Sequence, residues 1–344
     1  MNSSWDKSQE DQSGAGRAGA PLREALQFEG GEIRIFVDRP KCPGRLPAVL
    51  FIQGFDGASM ENLGDHPYGR FVQRLAAQGF AVFRAQWKGA GRAGGLPSHA
   101  DADLETELRV FEAVLRRIRT YDFVDPDQVF LFGHSLGGLV APLIAETIPV
   151  LGIAVYGTSL KPWRELIPET FAFQLPYFGV DSEQTERIVR DVADLMTLFY
   201  RDRKSPAELA KDERYSELLT EHLQHDGQGR LWGRHHRYWQ QLDDHDMTEV
   251  WRRTGAFVLS MFGEFDFEVF SDLEARTIAD LVNHDHPGHA EFLQIDGTSH
   301  LFCRVRSMQE NVGDRRRRDT AESFNEAVVL ETAAWMREVL ARVP

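Results

Sequence analysis

Residues 129–145 read VFLFGHSLGGLVAPLIA, and this stretch decides the fold. Its first four residues are apolar, as in a strand that is covered on both faces of a sheet. The residues from Leu136 to Ala145 are apolar and long enough for a buried helix. Between the two segments, Gly133 and Gly137 stand two positions on either side of Ser135. The pattern predicts a tight strand–turn–helix in which the Ser135 hydroxyl projects above the sheet at the helix N-terminus.

Strand and helix patterns alternate on both sides of this stretch. We predict an antiparallel edge strand over 33–37, further strands over 48–52, 80–83, 150–156, 256–262 and 291–295, and helices over 71–77, 104–118, 271–283 and 320–341. Such alternation is typical of an α/β fold, with a mainly parallel central sheet and helices on both faces.

The alternation stops over residues 159–250, where helical patterns with Trp, Tyr and Phe predominate and we identify no strand. We therefore predict a core formed by 23–158 and 251–344, with 159–250 inserted as a helical lid. Residues 1–22 are rich in Ser, Gly and charge, and we predict a disordered N-terminal tail.

The composition excludes several classes of protein. The chain has 344 residues, of which 42% are hydrophobic and 27% charged, as in globular proteins. A net charge of −14 argues against nucleic acid or an anionic membrane surface as the main partner. Two cysteines, Cys42 and Cys303, provide neither a disulfide framework nor a four-cysteine zinc site. We identify no secretory signal and no membrane-spanning segment, so we expect a cytoplasmic location.

With Ser135 in this setting, the chain resembles the α/β-hydrolase superfamily from about residue 28 to residue 342. Within it, the chain looks most similar to bacterial serine hydrolases of the prolyl-oligopeptidase and dienelactone-hydrolase type. The resemblance implies an α/β-hydrolase fold with a helical lid. It also implies that Ser135 is a nucleophile, activated by a histidine and an acid that follow it along the chain.

The resemblance assigns the other two catalytic residues to loops that follow predicted strands. Asp266 stands in the sequence GEFD after the strand over 256–262 and is the predicted acid, with Glu264 and Glu268 as close alternatives. His300 stands in the sequence GTSH after the strand over 291–295 and is the predicted base. Asp266 would orient the His300 ring and stabilise its charged form.

An oxyanion intermediate needs two hydrogen-bond donors, and the resemblance places them in two loops. One is the N–H of Leu136, directly after the nucleophile. The other lies in the loop 53–57, where Phe55 is the predicted donor and Gly54 the alternative. Many relatives have a histidine at the position of Gln53, but the donor is a backbone group and the difference does not remove it.

Aromatic residues of the predicted lid are candidates for binding the substrate. Most of them would pack the interior of the lid, whereas some would line an apolar pocket between lid and sheet. The candidates are Trp163, Tyr177, Phe178 and Tyr238.

Two other motifs resemble a cofactor site and a metal site, and we interpret both as ordinary loops. Residues 89–94 read GAGRAG and match the G-x-G-x-x-G pattern, but GLPS follows before the helix begins. In a dinucleotide site the glycines open the helix, so we expect no nicotinamide. His284, His286 and His289 are more typical of a solvated loop than of a metal site. We therefore expect neither cofactor nor metal.

These expectations describe a cofactor-independent serine hydrolase that acts through an acyl-enzyme on a small-to-medium organic substrate. An ester is the expected bond, with thioester and amide as variants. A peptidase of the prolyl-oligopeptidase type, an acyltransferase or thioesterase of small-molecule biosynthesis, and a non-catalytic ligand-binding protein on the same fold remain alternatives. The expected partner is a small molecule, and a homo-oligomer is left open.

Overall fold

A computed structural model describes residues 22–55, 58–91, 95–313 and 319–343. Its strands are β1 (Leu22–Phe28), β2 (Gly31–Asp38), β3 (Leu46–Ile52), β4 (Ala81–Lys88), β5 (Val124–His134), β6 (Gly152–Tyr156), β7 (Arg230–Leu231), β8 (Arg234–His235), β9 (Phe257–Gly263) and β10 (Ala290–Ile295). Its α-helices are α1 (Pro67–Ala77), α2 (Leu104–Ile118), α3 (Gly137–Thr147), α4 (Trp163–Gln174), α5 (Ser182–Met196), α6 (Pro206–Leu209), α7 (His236–Leu242), α8 (Met247–Arg253), α9 (Leu273–Asp285), α10 (Met308–Gly313) and α11 (Ala327–Arg342).

Eight strands form one sheet in the order β1-β2-β4-β3-β5-β6-β9-β10. From β4 to β10 neighbouring strands run parallel, whereas β2 pairs antiparallel with both β1 and β4. This topology confirms the predicted mainly parallel sheet.

The alternation of side chains along β3 explains how the sheet acquires a helical layer on each face. Ala48, Leu50 and Ile52 point into one hydrophobic core, which also contains residues of α2 and α3. Val49 and Phe51 point into a second core, built with residues of α1 and α11. Because the strand is buried on both faces, its sequence is a continuous apolar run rather than an alternating one.

The structure corrects four predictions about the strands and helices. The strand predicted over 33–37 is part of β2 and does not lie at the edge of the sheet, because β1 pairs with it over this whole range. Leu22 therefore belongs to a strand and not to the predicted tail, while residues 1–21 lie outside the described residues. The last helix begins at Ala327 instead of residue 320, since Phe324 forms a bridge with Cys303. The segment predicted to lack strands contains the short antiparallel hairpin β7–β8.

Between β6 and β9 the chain leaves the main sheet and forms α4 to α8. A buried ion pair joins this segment to α2, with Arg234 Nη2 lying 2.7 Å from Glu107 Oε2. The Tyr238 hydroxyl donates to the other Glu107 oxygen at 2.8 Å. Burial alone would raise the pKa of Glu107, but the charge of Arg234 and the hydrogen bonds from His99 and Tyr238 lower it to about 2. Among the described residues, no helix has the length and apolar content needed to span a bilayer.

Candidate active site

The carboxyl ends of parallel strands meet at one edge of the sheet, and the predicted site residues follow these ends. Ile52 at the end of β3 pairs with Gly133 of β5, and His134 of β5 pairs with Tyr156 of β6. Met261 of β9 is the partner of Tyr156 in turn. The loops after β3, β5, β6, β9 and β10 are therefore neighbours, as is usual for sites in open α/β sheets.

The turn between β5 and α3 has the strained geometry that the G-x-S-x-G pattern predicts. Ser135 has a φ of 53°, in the left-handed region that residues other than glycine rarely adopt. A Cβ at Gly137 would lie 2.2 Å from the carbonyl oxygen of Ile52, and a Cβ at Gly133 would lie 2.4 Å from that of Gly137. Only glycine fits at these two positions. The turn therefore places Ser135 next to the N-terminus of α3.

Asp266 and His300 form a buried hydrogen-bonded pair. Nδ1 of His300 lies 2.8 Å from Oδ2 of Asp266, which is completely buried. The other oxygen, Oδ1, accepts hydrogen bonds from the N–H groups of Glu268 at 2.9 Å and Val269 at 2.8 Å. The carboxylate is therefore fixed in orientation by its own loop, with one oxygen directed at the imidazole.

The loop that carries His300 is held by its own turn and by a hydrogen bond from β6. The N–H of Phe302 donates to the carbonyl of Ser299 at 3.1 Å, which closes a tight turn around His300. The Tyr156 hydroxyl donates to the same carbonyl at 2.8 Å. Burial raises the pKa of Tyr156 well above its ordinary value, and the charge of Asp266 raises it further. The hydroxyl therefore stays protonated and remains a donor to this turn.

Gly157 marks where the serine turn meets the acid–histidine pair. The N–H of Ser135 donates to the carbonyl of Tyr156, the residue before Gly157, at 2.9 Å. A Cβ at Gly157 would lie 2.8 Å from Oδ2 of Asp266 and 2.9 Å from Nδ1 of His300. The structure thus brings together the three residues that the sequence analysis assigned to nucleophile, acid and base.

The two alternative acids have different surroundings. The exposed Glu264 accepts a hydrogen bond from the N–H of Gly297 at 2.7 Å and so stabilises the loop that carries His300. Glu268 lies closer to the Asp266–His300 pair. One carboxylate oxygen or ring nitrogen from each of Asp266, Glu268 and His300 lies within 4.8 Å of the others. A cation there would compete with the bonds that Asp266 already makes. Within residues 22–55, 58–91, 95–313 and 319–343 no other such group of three ligands was found.

Two backbone N–H groups near Ser135 fit the predicted oxyanion donors. Among the residues that the structure describes, neither Leu136 nor Phe55 uses its N–H in a hydrogen bond. The alternative donor is occupied, since the N–H of Gly54 donates to the Tyr68 hydroxyl at 3.3 Å. Asp56 and Gly57, which complete the predicted loop, lie outside the described residues.

A cavity of about 350 Å³ opens at Ser135. One wall is a single face of α4, whose lining residues recur at helical spacing: Trp163, Leu166, Ile167, Thr170, Phe171 and Gln174. Other residues that line the cavity are Phe55, Leu136, Leu139, Gly157, Thr158 and Ser159. Most of the lining is apolar, and the volume suits one small or medium organic molecule.

The sequence profile of the alpha/beta hydrolase family matches residues 49–304. The chain belongs to this family. The match covers the strands from β3 to β10, together with the segment inserted between β6 and β9.

Several individual proteins resemble the chain at low sequence identity. Esterase EstD of Thermotoga maritima is 22% identical over 307 residues, which cover 86% of this chain and 63% of EstD. The quorum-quenching protein AidA of Acinetobacter baumannii is 26% identical over 121 residues, covering 35% of this chain and 37% of AidA. The chain therefore spans less than two thirds of either relative. The structure of Est1E from Butyrivibrio proteoclasticus superposes with a TM-score of 0.55 at 17% identity, over 93% of this chain and 99% of Est1E. These likenesses show a shared fold.

Of the four aromatic residues predicted to bind substrate, this alpha/beta hydrolase brings one to the cavity. Trp163 lines it, whereas Tyr177 and Phe178 contact Phe267 and are exposed. Tyr238 is buried against Glu107 instead. Sequence reasoning selected residue types and missed Leu166, Ile167 and Thr170 of α4. Their spacing from Trp163, at three, four and seven positions, would have identified them as one helical face.

Proposed function

We propose that this protein is a serine hydrolase that cleaves esters of small-to-medium organic acids through an acyl-enzyme. The observation that carries the proposal is the buried Asp266–His300 pair, at 2.8 Å, beside the strained turn of Ser135. A serine hydroxyl is a weak nucleophile until a base accepts its proton. A histidine whose Nδ1–H is held by a buried carboxylate has its other nitrogen ready to act as that base.

In the proposed reaction the Ser135 hydroxyl oxygen attacks the carbonyl carbon of the ester, and its proton passes to Nε2 of His300. The Asp266 carboxylate stabilises the imidazolium that results. The tetrahedral intermediate collapses when His300 gives the proton to the leaving alcohol, which breaks the ester bond. Water then attacks the acyl-enzyme by the same route and releases the acid.

The negative charge of the intermediate would be stabilised by the N–H groups of Leu136 and Phe55. Both lack another hydrogen bond among the described residues, so no bond has to be broken when the oxyanion forms. The position of Leu136 at the start of α3 adds the favourable field of the helix N-terminus. We therefore prefer Phe55 over Gly54 as the second donor.

The cavity supports an organic substrate with an apolar acyl or alcohol group. Its wall of Trp163, Leu166, Ile167 and Phe171 offers apolar contacts and few charges. An apolar group of matching size would displace water from this wall, and the free energy gained would orient the ester at Ser135. The inserted segment that supplies α4 would thus act as the lid.

The test is intact-mass analysis after treatment with a fluorophosphonate, followed by peptide mapping. We expect a single adduct at Ser135, absent in Ser135→Ala and retained in Ser159→Ala, which removes a second serine of the same cavity. With an ester substrate, Ser135→Ala should lower kcat by a factor on the order of 10⁶. A wild-type protein that reacts neither with a fluorophosphonate nor with a smaller sulfonyl fluoride would contradict the proposal and favour a binding protein.

A substrate panel then separates the related activities. Esters, thioesters and peptides with the same acyl group are compared by kcat/KM, with and without an added alcohol or amine acceptor. Fastest turnover of the esters to the free acid is the expected result. Transfer to the acceptor in place of hydrolysis would identify an acyltransferase, and preference for the peptides would identify a peptidase.

A further inference from the structure

A chain of buried hydrogen bonds joins three loops of the candidate active site through two residues, Tyr68 and His134. The Tyr68 hydroxyl lies 2.6 Å from Nδ1 of His134 and accepts a hydrogen bond from the Gly54 N–H at 3.3 Å. Nε2 of His134 lies 2.8 Å from the carbonyl oxygen of His300. The bonds therefore run from the loop after β3, through the residue before Ser135, to the residue proposed as base.

The carbonyl partner fixes the direction of the bond at His134 Nε2, and the directions of the other bonds follow for a neutral ring. A carbonyl oxygen can only accept, so Nε2 of His134 carries a proton and donates it to His300. In the neutral ring Nδ1 is then an acceptor, and the Tyr68 hydroxyl donates to it. The Tyr68 oxygen keeps its lone pairs for the N–H of Gly54. For a neutral His134 ring, these three bonds therefore have one consistent orientation.

The network lies in the protein interior. Tyr68 is completely buried and His134 is 1% exposed. Because water does not reach these groups, a hydrogen bond removed by substitution leaves a buried donor or acceptor without compensation. The three loops are therefore coupled: a shift of one of them stretches bonds to the other two.

We propose that Tyr68 and His134 are positioning residues, which hold the Phe55 N–H and the His300 ring at the distances from Ser135 that the reaction requires. Gly54, anchored by Tyr68, directly precedes Phe55. His300 is held by its carbonyl through His134 and by its ring through Asp266. This inference rests on the serine hydrolase function proposed above. Displacements of about 1 Å in such a site can lower the rate roughly a hundredfold.

Aromatic packing explains the ring of Tyr68 but not its hydroxyl. The ring lies 4.9 Å from that of Phe51 and 6.0 Å from that of Phe302, measured between centroids. Phenylalanine would make the same contacts. The substitution Tyr68→Phe therefore deletes the link between the loops and keeps the core, which separates positioning from packing.

The first experiment compares Tyr68→Phe with the wild type in ester hydrolysis and in binding of a boronic acid, which forms a tetrahedral adduct with the active serine. We expect kcat to fall roughly tenfold with KM within about twofold, and boronate affinity to fall in parallel with kcat, because the loss concerns the transition state. Tyr121→Phe is the matched control. Tyr121 follows α2, away from the site, and its hydroxyl donates to Glu24 of β1. The loss of this hydroxyl should leave kcat and boronate affinity unchanged.

Substitutions of His134 test the two arms separately. In His134→Gln the side-chain N–H₂ can replace Nε2 as the donor to His300, and in His134→Asn the side-chain carbonyl can replace Nδ1 as the acceptor from Tyr68. We expect each to retain more of kcat than His134→Leu, which has neither group. Equal kcat values for the three variants would overturn the positioning role.

The outcomes separate this inference from the function on which it rests. A wild-type protein without fluorophosphonate labelling or ester hydrolysis would overturn both. A labelled and active wild type, together with a Tyr68→Phe variant of unchanged kcat and boronate affinity, would overturn the positioning role alone. If Tyr68→Phe shows no cooperative thermal unfolding, the kcat values of the three His134 variants decide whether the positioning role holds.

Discussion

Replacing Gly157 with alanine should disable the proposed triad although none of its three residues is substituted. Gly157 has a φ of +59°, and a Cβ there would lie 2.8 Å from Oδ2 of Asp266 and 2.9 Å from Nδ1 of His300. The two atoms whose hydrogen bond would orient the base are thus the two that the new methyl group would meet. Since both are themselves held by buried hydrogen bonds, they cannot move away freely.

The expected loss of activity follows from these distances. Ordinary contacts of a Cβ begin near 3.4 Å, so the pair would have to retreat by roughly half an ångström. A misplacement of about 1 Å can lower the rate a hundredfold, and half of it should therefore lower kcat roughly tenfold or more. The left-handed backbone adds a strain of about 1–2 kcal/mol that affects stability.

A matched control separates the strain from the clash. Gly288, in the loop between α9 and β10, has a φ of +80°, and a Cβ there would meet no atom within 4 Å. Gly288→Ala should therefore lose similar stability and keep its activity. The assay is kcat for an ester, together with urea unfolding of both variants. If Gly157→Ala keeps a kcat within about twofold of Gly288→Ala, the geometry proposed for the pair is wrong.

Three further predictions concern the acid, the cavity and the anchor of the inserted segment. Asp266→Asn should lower kcat far more than Glu264→Gln, since Asp266 bonds the His300 ring; the reverse ranking in ester hydrolysis would reassign the acid. Ile167→Trp should narrow the cavity and shift kcat/KM toward shorter acyl chains, and an unchanged profile across an acyl-length series would show that this wall does not bind the acyl group. The pKa of Glu107 rises from about 2 to its ordinary value of 4.5 on unfolding, so its contribution to the free energy of unfolding is present above pH 4.5 and decreases by about 3 kcal/mol as the pH falls to 2. Urea unfolding between pH 5 and pH 3 should show about 2 kcal/mol of this loss relative to Glu107→Gln, and parallel curves would contradict it.

Local sequence patterns predicted the strands and helices whose apolar residues and ends are encoded within the segment itself. The apolar run 48–52 became a central strand, and the helix predicted over 104–118 has those bounds in the structure. Asp103 caps that helix by accepting from the N–H of Thr106 at 3.0 Å, which fixes its start locally. Boundaries failed where backbone pairing, and not side-chain burial, makes a segment a strand. Leu22–Phe28 is a strand because it pairs with β2, although many of its side chains are exposed.

Short sequence patterns predicted the mainly parallel sheet and the turn around Ser135, and the resemblance to the family assigned the three residues of the proposed triad from their order along the chain. Only the tertiary structure decided how these residues are held. The wall that α4 contributes to the cavity lies against residues far from it in sequence. The hydrogen bonds of Tyr68 and His134, including the one from the N–H of Gly54, also join separate segments of the chain. Such contacts arise where the ends of parallel strands converge, and no local pattern records which side chains meet there.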